Sequence, residues 1–207
     1  KIIYKKEYYN KFQVFIDRKD AGIKLAKFLS DKIKGDEVAY AIPSGGIPVA
    51  KYFCKELNLK LKVLLATKIL LPWNSEVGYG AITIENDIEL NYELIKYFNL
   101  SNKIIEEGIN KAKNKLIKIK SIIEEKYLIQ EKNKSCIIID DGLASGYTML
   151  AAIKTVKKYN EEIYVAVPTA STHAVNLLKE YCDKIFILNL RDIYPFAVAD
   201  AYEYWYD

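Results

Sequence analysis

The stretch Ser135-Cys136-Ile137-Ile138-Ile139-Asp140-Asp141-Gly142-Leu143-Ala144-Ser145-Gly146-Tyr147-Thr148 decides the fold. Its four consecutive apolar residues, Cys136 to Ile139, predict a strand covered on both faces, which has no need to alternate. The strand runs into two adjacent carboxylates, Asp140 and Asp141. A short loop with Gly142, Ser145, Gly146 and Thr148 follows, and a helical pattern starts at Met149. These are the parts needed to hold a phosphorylated sugar. Loop amides and hydroxyls bind phosphate at the positive end of a helix. Carboxylates accept hydrogen bonds from sugar hydroxyls and help place a divalent cation. The plainer alternative is an ordinary strand-to-helix turn with a solvated acidic cap. Against it, adjacent carboxylates at a strand end repel each other unless something cationic is expected there.

The order of hydrophobic strand, two acids and a small-residue loop ending Ser145-Gly146-Tyr147-Thr148 resembles the phosphoribosyl-pyrophosphate motif of type I phosphoribosyltransferases. The resemblance implies a Rossmann-like parallel sheet with flanking helices. It also implies that Asp140 and Asp141 carry the catalytic role, bind ribose hydroxyls and assist Mg²⁺, indirectly or with the substrate. The loop Gly142, Leu143, Ala144, Ser145, Gly146, Tyr147 and Thr148 would then wrap a 5′-phosphate.

Composition sets the frame. At 207 residues, half of them apolar and just over a quarter charged, the chain predicts one soluble domain over 1–207. The longest apolar run, Val63 to Trp73, is broken by Lys68 and Pro72 and is too short to span a bilayer. The first residues lack the apolar core of a signal peptide. Cys54, Cys136 and Cys182 are odd in number and far apart, which suits reduced packing residues. A cytoplasmic protein without membrane contact is expected. The net charge of +4 does not argue for nucleic acid, and the segment Lys103 to Lys134, with nine lysines and five glutamates, accounts for all of it. Only two arginines occur, Arg18 and Arg191.

Along the chain, residues 1–16 read as an aromatic arm, and Asp17 as the N-cap of a helix with Ala21, Leu25, Phe28 and Leu29 on its apolar face. Glu37 to Ile42 predicts a strand that enters Pro43-Ser44-Gly45-Gly46, with a helix opening at Ile47. A Gly-Gly turn there lets backbone amides approach an anion. In type I phosphoribosyltransferases the loop after the first strand holds pyrophosphate, which implies that role for Ser44, Gly45 and Gly46. An uncharacterised bacterial and archaeal branch of the family is similar in a further pattern, seen here as Asp17-Arg18-Lys19-Asp20-Ala21-Gly22. That branch has a basic residue where this chain has Ser44, which donates a hydrogen bond but adds no charge.

Leu61 to Thr67 predicts a second strand, Lys68 to Gly80 a loop, and Ala81–Ile84 with Ile88–Leu90 a β-hairpin. Asn91 to Asn99 predicts a short helix and Ser101 caps a long one reaching about Tyr127. Its apolar positions Ile105, Ile109, Ala112, Leu116, Ile119 and Ile123 form a heptad seam, facing the domain or a second copy. A homodimer is therefore left open. The other faces carry Lys111, Lys113, Lys115, Lys118 and Lys120, read as a solvated face or as a strip for phosphate or RNA. This β-hairpin and long-helix insertion, about 68–134, lies where the family carries its mobile loop, which implies Lys68 as a site cation. Helices over 148–159 and 173–181 and strands Ile163–Val167 and Lys184–Leu190 complete the pattern. An aromatic C-terminal hood follows. By family position, Tyr194 and Phe196 would face a base and Arg191 would reach pyrophosphate; closing the core is the competing role.

The reaction implied is transfer of the phosphoribosyl group from phosphoribosyl pyrophosphate to a small nitrogen base, with Mg²⁺ and pyrophosphate as leaving group. Hypoxanthine-guanine enzymes carry an Asp where this chain has Ala144, so a 6-oxopurine handled in the usual way is disfavoured. The rival reading is a non-catalytic regulatory or RNA-binding protein that senses phosphoribosyl pyrophosphate on the same fold.

Overall fold

A computed structural model describes residues 1–128 and 131–206. Nine strands and six α-helices are found among them. Six strands form one all-parallel sheet: β1 (Ile2–Tyr4), β2 (Val38–Ala41), β3 (Lys60–Val63), β7 (Asn133–Ile139), β8 (Asn160–Ser171) and β9 (Lys184–Arg191). Their spatial order is β1-β9-β8-β7-β2-β3. The strand of the opening motif is therefore central, flanked by β2 and β8.

Its unbroken apolar run is explained by two covered faces. Cys136 and Ile138 point into one core with Tyr40, Val165, Met149 and Leu178. Ile137 and Ile139 point into the other, with Ala39, Ala166, Leu25, Val49 and Phe53. Helices α5 (Tyr147–Val156) and α6 (Thr172–Leu178) cover the first face, α1 (Arg18–Leu29) and α2 (Gly46–Leu57) the second. Alternation persists in direction although both directions are apolar.

The helix and strand predictions near strong local signals hold: Asp17 accepts from the Asp20 amide at the start of α1, and Ser101 accepts from Ile104 at the start of α4 (Asn102–Ile122). Three readings are corrected. Residues 2–4 of the supposed arm form the edge strand β1. The single strand expected over Leu61–Thr67 is broken at Leu64 and Leu65 into β3 and β4 (Ala66–Leu71). The loop expected over 68–80 is an antiparallel hairpin, β4 turning at Pro72 and Trp73 into β5 (Asn74–Thr83). The following hairpin, β5 with β6 (Ile88–Leu90), forms as predicted.

These three strands make a second sheet, followed by α3 (Tyr92–Tyr97) and α4. The seam of α4 turns inward onto this sheet. Ala112 and Leu116 are buried with Ile69, Tyr79 and Ile82, and Ile105, Ile109, Ile119 and Ile123 pack around them. The insertion leaves the main sheet beyond β3, packs against α5 and returns at β7. None of the described helices is long and apolar enough to cross a membrane.

Candidate functional site

Parallel strands place their carboxyl ends on one side of the sheet, and ligands of such sheets bind there. Here β2 ends in the Pro43–Gly46 loop and β7 ends in Asp140 and Asp141, with the two strands directly paired. The two loops touch. A side chain on Gly45 would lie 2.0 Å from Asp141 Oδ2, and one on Gly46 would lie 2.8 Å from the Ile139 carbonyl oxygen. Glycine is required because the second loop occupies the space. The Pro43–Ser44 peptide is cis.

The motif loop is anchored before it becomes free to bind. Leu143 donates its N–H to the Thr169 carbonyl, and its own carbonyl accepts from Ser171 N–H. Ser171 Oγ donates to the Ala144 carbonyl at 2.8 Å. Leu143 is buried in the core and Ala144 and Ser145 are exposed. Gly146 then turns with φ +89°, a left-handed conformation that side chains resist, and α5 begins.

Helix caps single out the two loops. The first turns of α1, α3, α4 and α6 are each capped by a side chain, from Asp17, Asn91, Ser101 and Ser171. The two α-helices of the described residues without a side-chain cap are α2 and α5, the helices that follow the two glycine loops. First-turn amides of a helix need partners; in α2 those of Gly46 and Ile47 already donate to the Ile42 and Ser44 carbonyls and Pro48 has no N–H, so the helix start open to an anion is that of α5. Within the first loop Gly46 is not a donor to a ligand, since its N–H goes to the Ile42 carbonyl at 2.9 Å. Ser44, which is exposed, and Gly45 are left to face an anion.

The acidic pair is asymmetric. Asp141 takes Nε and Nη2 of Arg18 on the single oxygen Oδ2, each at 3.0 Å. Arg18 Nη1 donates to the Tyr206 carbonyl at 2.8 Å, and its guanidinium lies 3.9 Å over the Trp205 ring. Tyr202 Oη donates to the Asp141 carbonyl. Asp140 is half-buried, and its Oδ1 accepts from the Asp141 N–H at 2.8 Å. Burial, and then the neighbouring Asp141 charge, hold Asp140 well above the usual carboxylate range; Lys68, exposed on β4, is close enough to oppose this. The cation that adjacent carboxylates call for is thus supplied by the chain itself.

The structure brings Ser44, Gly45, Gly46, Lys68, Asp140, Asp141 and the loop to Thr148 to one end of the sheet. Tyr147 leans towards the insertion; burial raises its phenol, and Glu93 and Glu89 raise it further. The tail is placed differently from the expectation. Arg191 is only 1% exposed, donates to the Ala197 carbonyl and sits between the rings of Phe12 and Phe196, at 5.0 and 4.2 Å. It ties the N-terminal segment to the hood instead of reaching the first loop, and Phe196 covers it instead of a base. Tyr194 is 56% exposed and its hydroxyl accepts from the His173 N–H. The hood meets the motif further on: Val198 fills the space beside Gly142, and Tyr202, Trp205 and Tyr206 close over Asp141 and Arg18. Sequence reasoning missed Arg18 as a site residue, although it stood in the Asp17–Gly22 pattern and was one of two arginines. In the lysine strip, Lys113 folds back to the Ile84 carbonyl, while Lys111, Lys115, Lys118 and Lys120 are exposed.

Comparison with known proteins agrees with this fold. A family model described as "Phosphoribosyl transferase domain" matches residues 16–203. A Mycobacterium tuberculosis protein named "Putative phosphoribosyl transferase Rv0571c" is 28% identical over 195 residues, 92% of this chain and 43% of that protein. The chain thus spans less than half the length of the curated relatives it matches. The crystal structure of TT1426 from Thermus thermophilus is similar with a TM-score of 0.68 and 26% identity, covering 93% of this chain and 92% of that one. The AQ2163 protein of Aquifex aeolicus is similar in fold, with a TM-score of 0.50 and 14% identity over 84% of this chain and 74% of that one.

Proposed function

The chain belongs to the phosphoribosyltransferase domain family, and from that premise we propose that it binds phosphoribosyl pyrophosphate and transfers the phosphoribosyl group to a small nitrogen base. The observation that carries the reading is the meeting, at one acidic pair on the carboxyl end of the sheet, of the uncapped start of α5 and the Ser44–Gly45 loop packed against Asp141. A ligand with two anionic ends and a polyhydroxylated middle fits that spacing of functions.

In this reading the amides at the start of α5, with the Ser145 and Thr148 hydroxyls, hold the 5′-phosphate. Asp140 and Asp141 accept ribose hydroxyls. Ser44 and Gly45 hold the pyrophosphate, and Lys68 faces it from the insertion. The bond from C1 to the pyrophosphate oxygen breaks as the base nitrogen bonds to C1, and both electrons of the broken bond leave with pyrophosphate. The chain supplies orientation and fixed charge, and no covalent nucleophile is needed.

Mg²⁺ enters as part of the substrate. Asp141 already gives Oδ2 to Arg18, and among the described residues no group of three acids, His or Cys gathers to hold a resident ion. Two carboxylates fit a cation that takes its remaining oxygens from diphosphate and water. Ala144 offers no general base, so the acceptor nitrogen is one that needs no Asp at that position.

The test is pyrophosphate release from phosphoribosyl pyrophosphate and Mg²⁺ with a panel of purine, pyrimidine and pyridine bases. Base-dependent release, abolished in Asp141→Asn, is expected. Binding without release for every base would replace the transferase with a sensor of the same ligand.

A further inference from the structure

Loop 43–46 carries no charge of its own, yet a guanidinium stands beside it. Arg18 bonds to Asp141 Oδ2, the same oxygen against which Gly45 is packed. Loop, acid and arginine therefore meet at one atom. Lys68 approaches the acidic pair through Asp140, from the insertion. Of the two cations near the pair, Arg18 is the one in direct contact with it and held against the first loop.

The Asp17–Gly22 pattern is built to keep it there. Asp17 caps the helix, which sets the first residue of α1 at the carboxyl end of the sheet. Ala21 is fully buried, and a side chain on Gly22 would come within 2.4 Å of the Val49 carbonyl oxygen, so α1 and α2 cross closely. Because α2 starts at the first loop, this crossing fixes Arg18 relative to that loop. The guanidinium is held from two further sides, by the Tyr206 carbonyl and the face of Trp205, neither of which depends on Asp141. Both contacts stay available to it when Asp141 is engaged elsewhere. A planar, always-charged group suits this role better than lysine.

We propose that Arg18 supplies the positive charge that Ser44 does not: it positions Asp141 in the free protein and faces the diphosphate when ligand engages the pair. This rests on the phosphoribosyl pyrophosphate reading above, and extends it to a residue of α1 and to the hood that holds it.

Calorimetric titration with two probes separates the two claims. Ribose 5-phosphate reports the loop 142–148 and the acids; inorganic pyrophosphate with Mg²⁺ reports the first loop. Arg18→Gln is expected to weaken pyrophosphate at least tenfold and ribose 5-phosphate less than threefold, and Arg18→Lys to recover part of the pyrophosphate affinity. Equal losses for both probes, or no rescue by Arg18→Lys, would reduce Arg18 to a structural tie and overturn the proposal. Trp205→Leu keeps the charge and loosens its seat, so its loss should be smaller than that of Arg18→Gln; an equal loss would also overturn it. Wild-type protein that binds pyrophosphate but not ribose 5-phosphate would instead contradict the phosphoribosyl reading.

Discussion

Two neighbouring aspartates have opposite energetic positions. Asp141 is tied to Arg18 by a charge-assisted hydrogen bond from Nε and an ion pair with Nη2, with both side chains mostly buried at 14% and 16% exposed. Removing its charge leaves Arg18 without that partner and costs about 1–3 kcal/mol. Asp140 sits beside that carboxylate in a desolvated corner, and its raised value means that the protonated form favours folding. As pH rises through its folded-state value it ionises, and the folded state loses stability. Asn keeps the oxygen that accepts the Asp141 N–H while removing the charge. Asp140→Asn is therefore expected to raise Tm by a few degrees at neutral pH, and Asp141→Asn to lower it by a similar amount, in thermal unfolding of the ligand-free protein. Both should lose phosphoribosyl ligands. Equal shifts of the same sign would contradict the asymmetry. Stability given up at Asp140 is what a functional carboxylate commonly costs.

Among the elements, the insertion is joined to α5 through a polar cluster. Thr155 Oγ1 lies 2.6 Å from Asp87 Oδ2 and 2.8 Å from Thr83 Oγ1, and Lys158 reaches Asp87 at 2.8 Å. Burial works to raise Asp87, but the bonds from Lys158 and Thr155 outweigh it and the net value is lowered. A depressed folded-state value gives stability that is complete above the unfolded value near pH 4 and is lost as pH falls through the folded one. Asp87→Asn should cost about 1 kcal/mol at neutral pH and flatten the loss of stability as pH falls below about 4. Denaturant unfolding at stepped pH checks this, and parallel curves for the two proteins would count against it. The elements also mark where sequence suffices. Asp17, Asn91 and Ser101 each signal a helix start locally, and the α4 seam signals its buried face. The run from Val63 to Leu71 has no such punctuation, so the break at Leu64 and Leu65 is invisible until β4 is seen pairing with β5. The three residues of β1 are likewise too few for a period to show.

For the molecule as a whole, one motif made the central strand and one half of the candidate site legible, because strand, acids and loop are contiguous. The other half depends on contacts across the chain. Arg18 and Asp141 are 123 residues apart, and Tyr206 is 188 from Arg18. No local pattern reports such a meeting. The two arginines illustrate the point: both are stacked on hood aromatics and both bond to carbonyls, while the lysines largely decorate the surface. By composition alone they were equivalent, and Arg191 was assigned the role that Arg18 has the position to fill. The account as a whole claims two anion sites, at 43–46 and 142–148, bridged by one acidic pair. A crystal structure of the protein soaked with phosphoribosyl pyrophosphate and Mg²⁺ tests this most directly. The account predicts a phosphate cradled by Ser145 to Thr148, ribose hydroxyls on Asp140 and Asp141, and a diphosphate between the first loop, Lys68 and Arg18. Ligand bound elsewhere, or an anion in only one of the two loops, would contradict it.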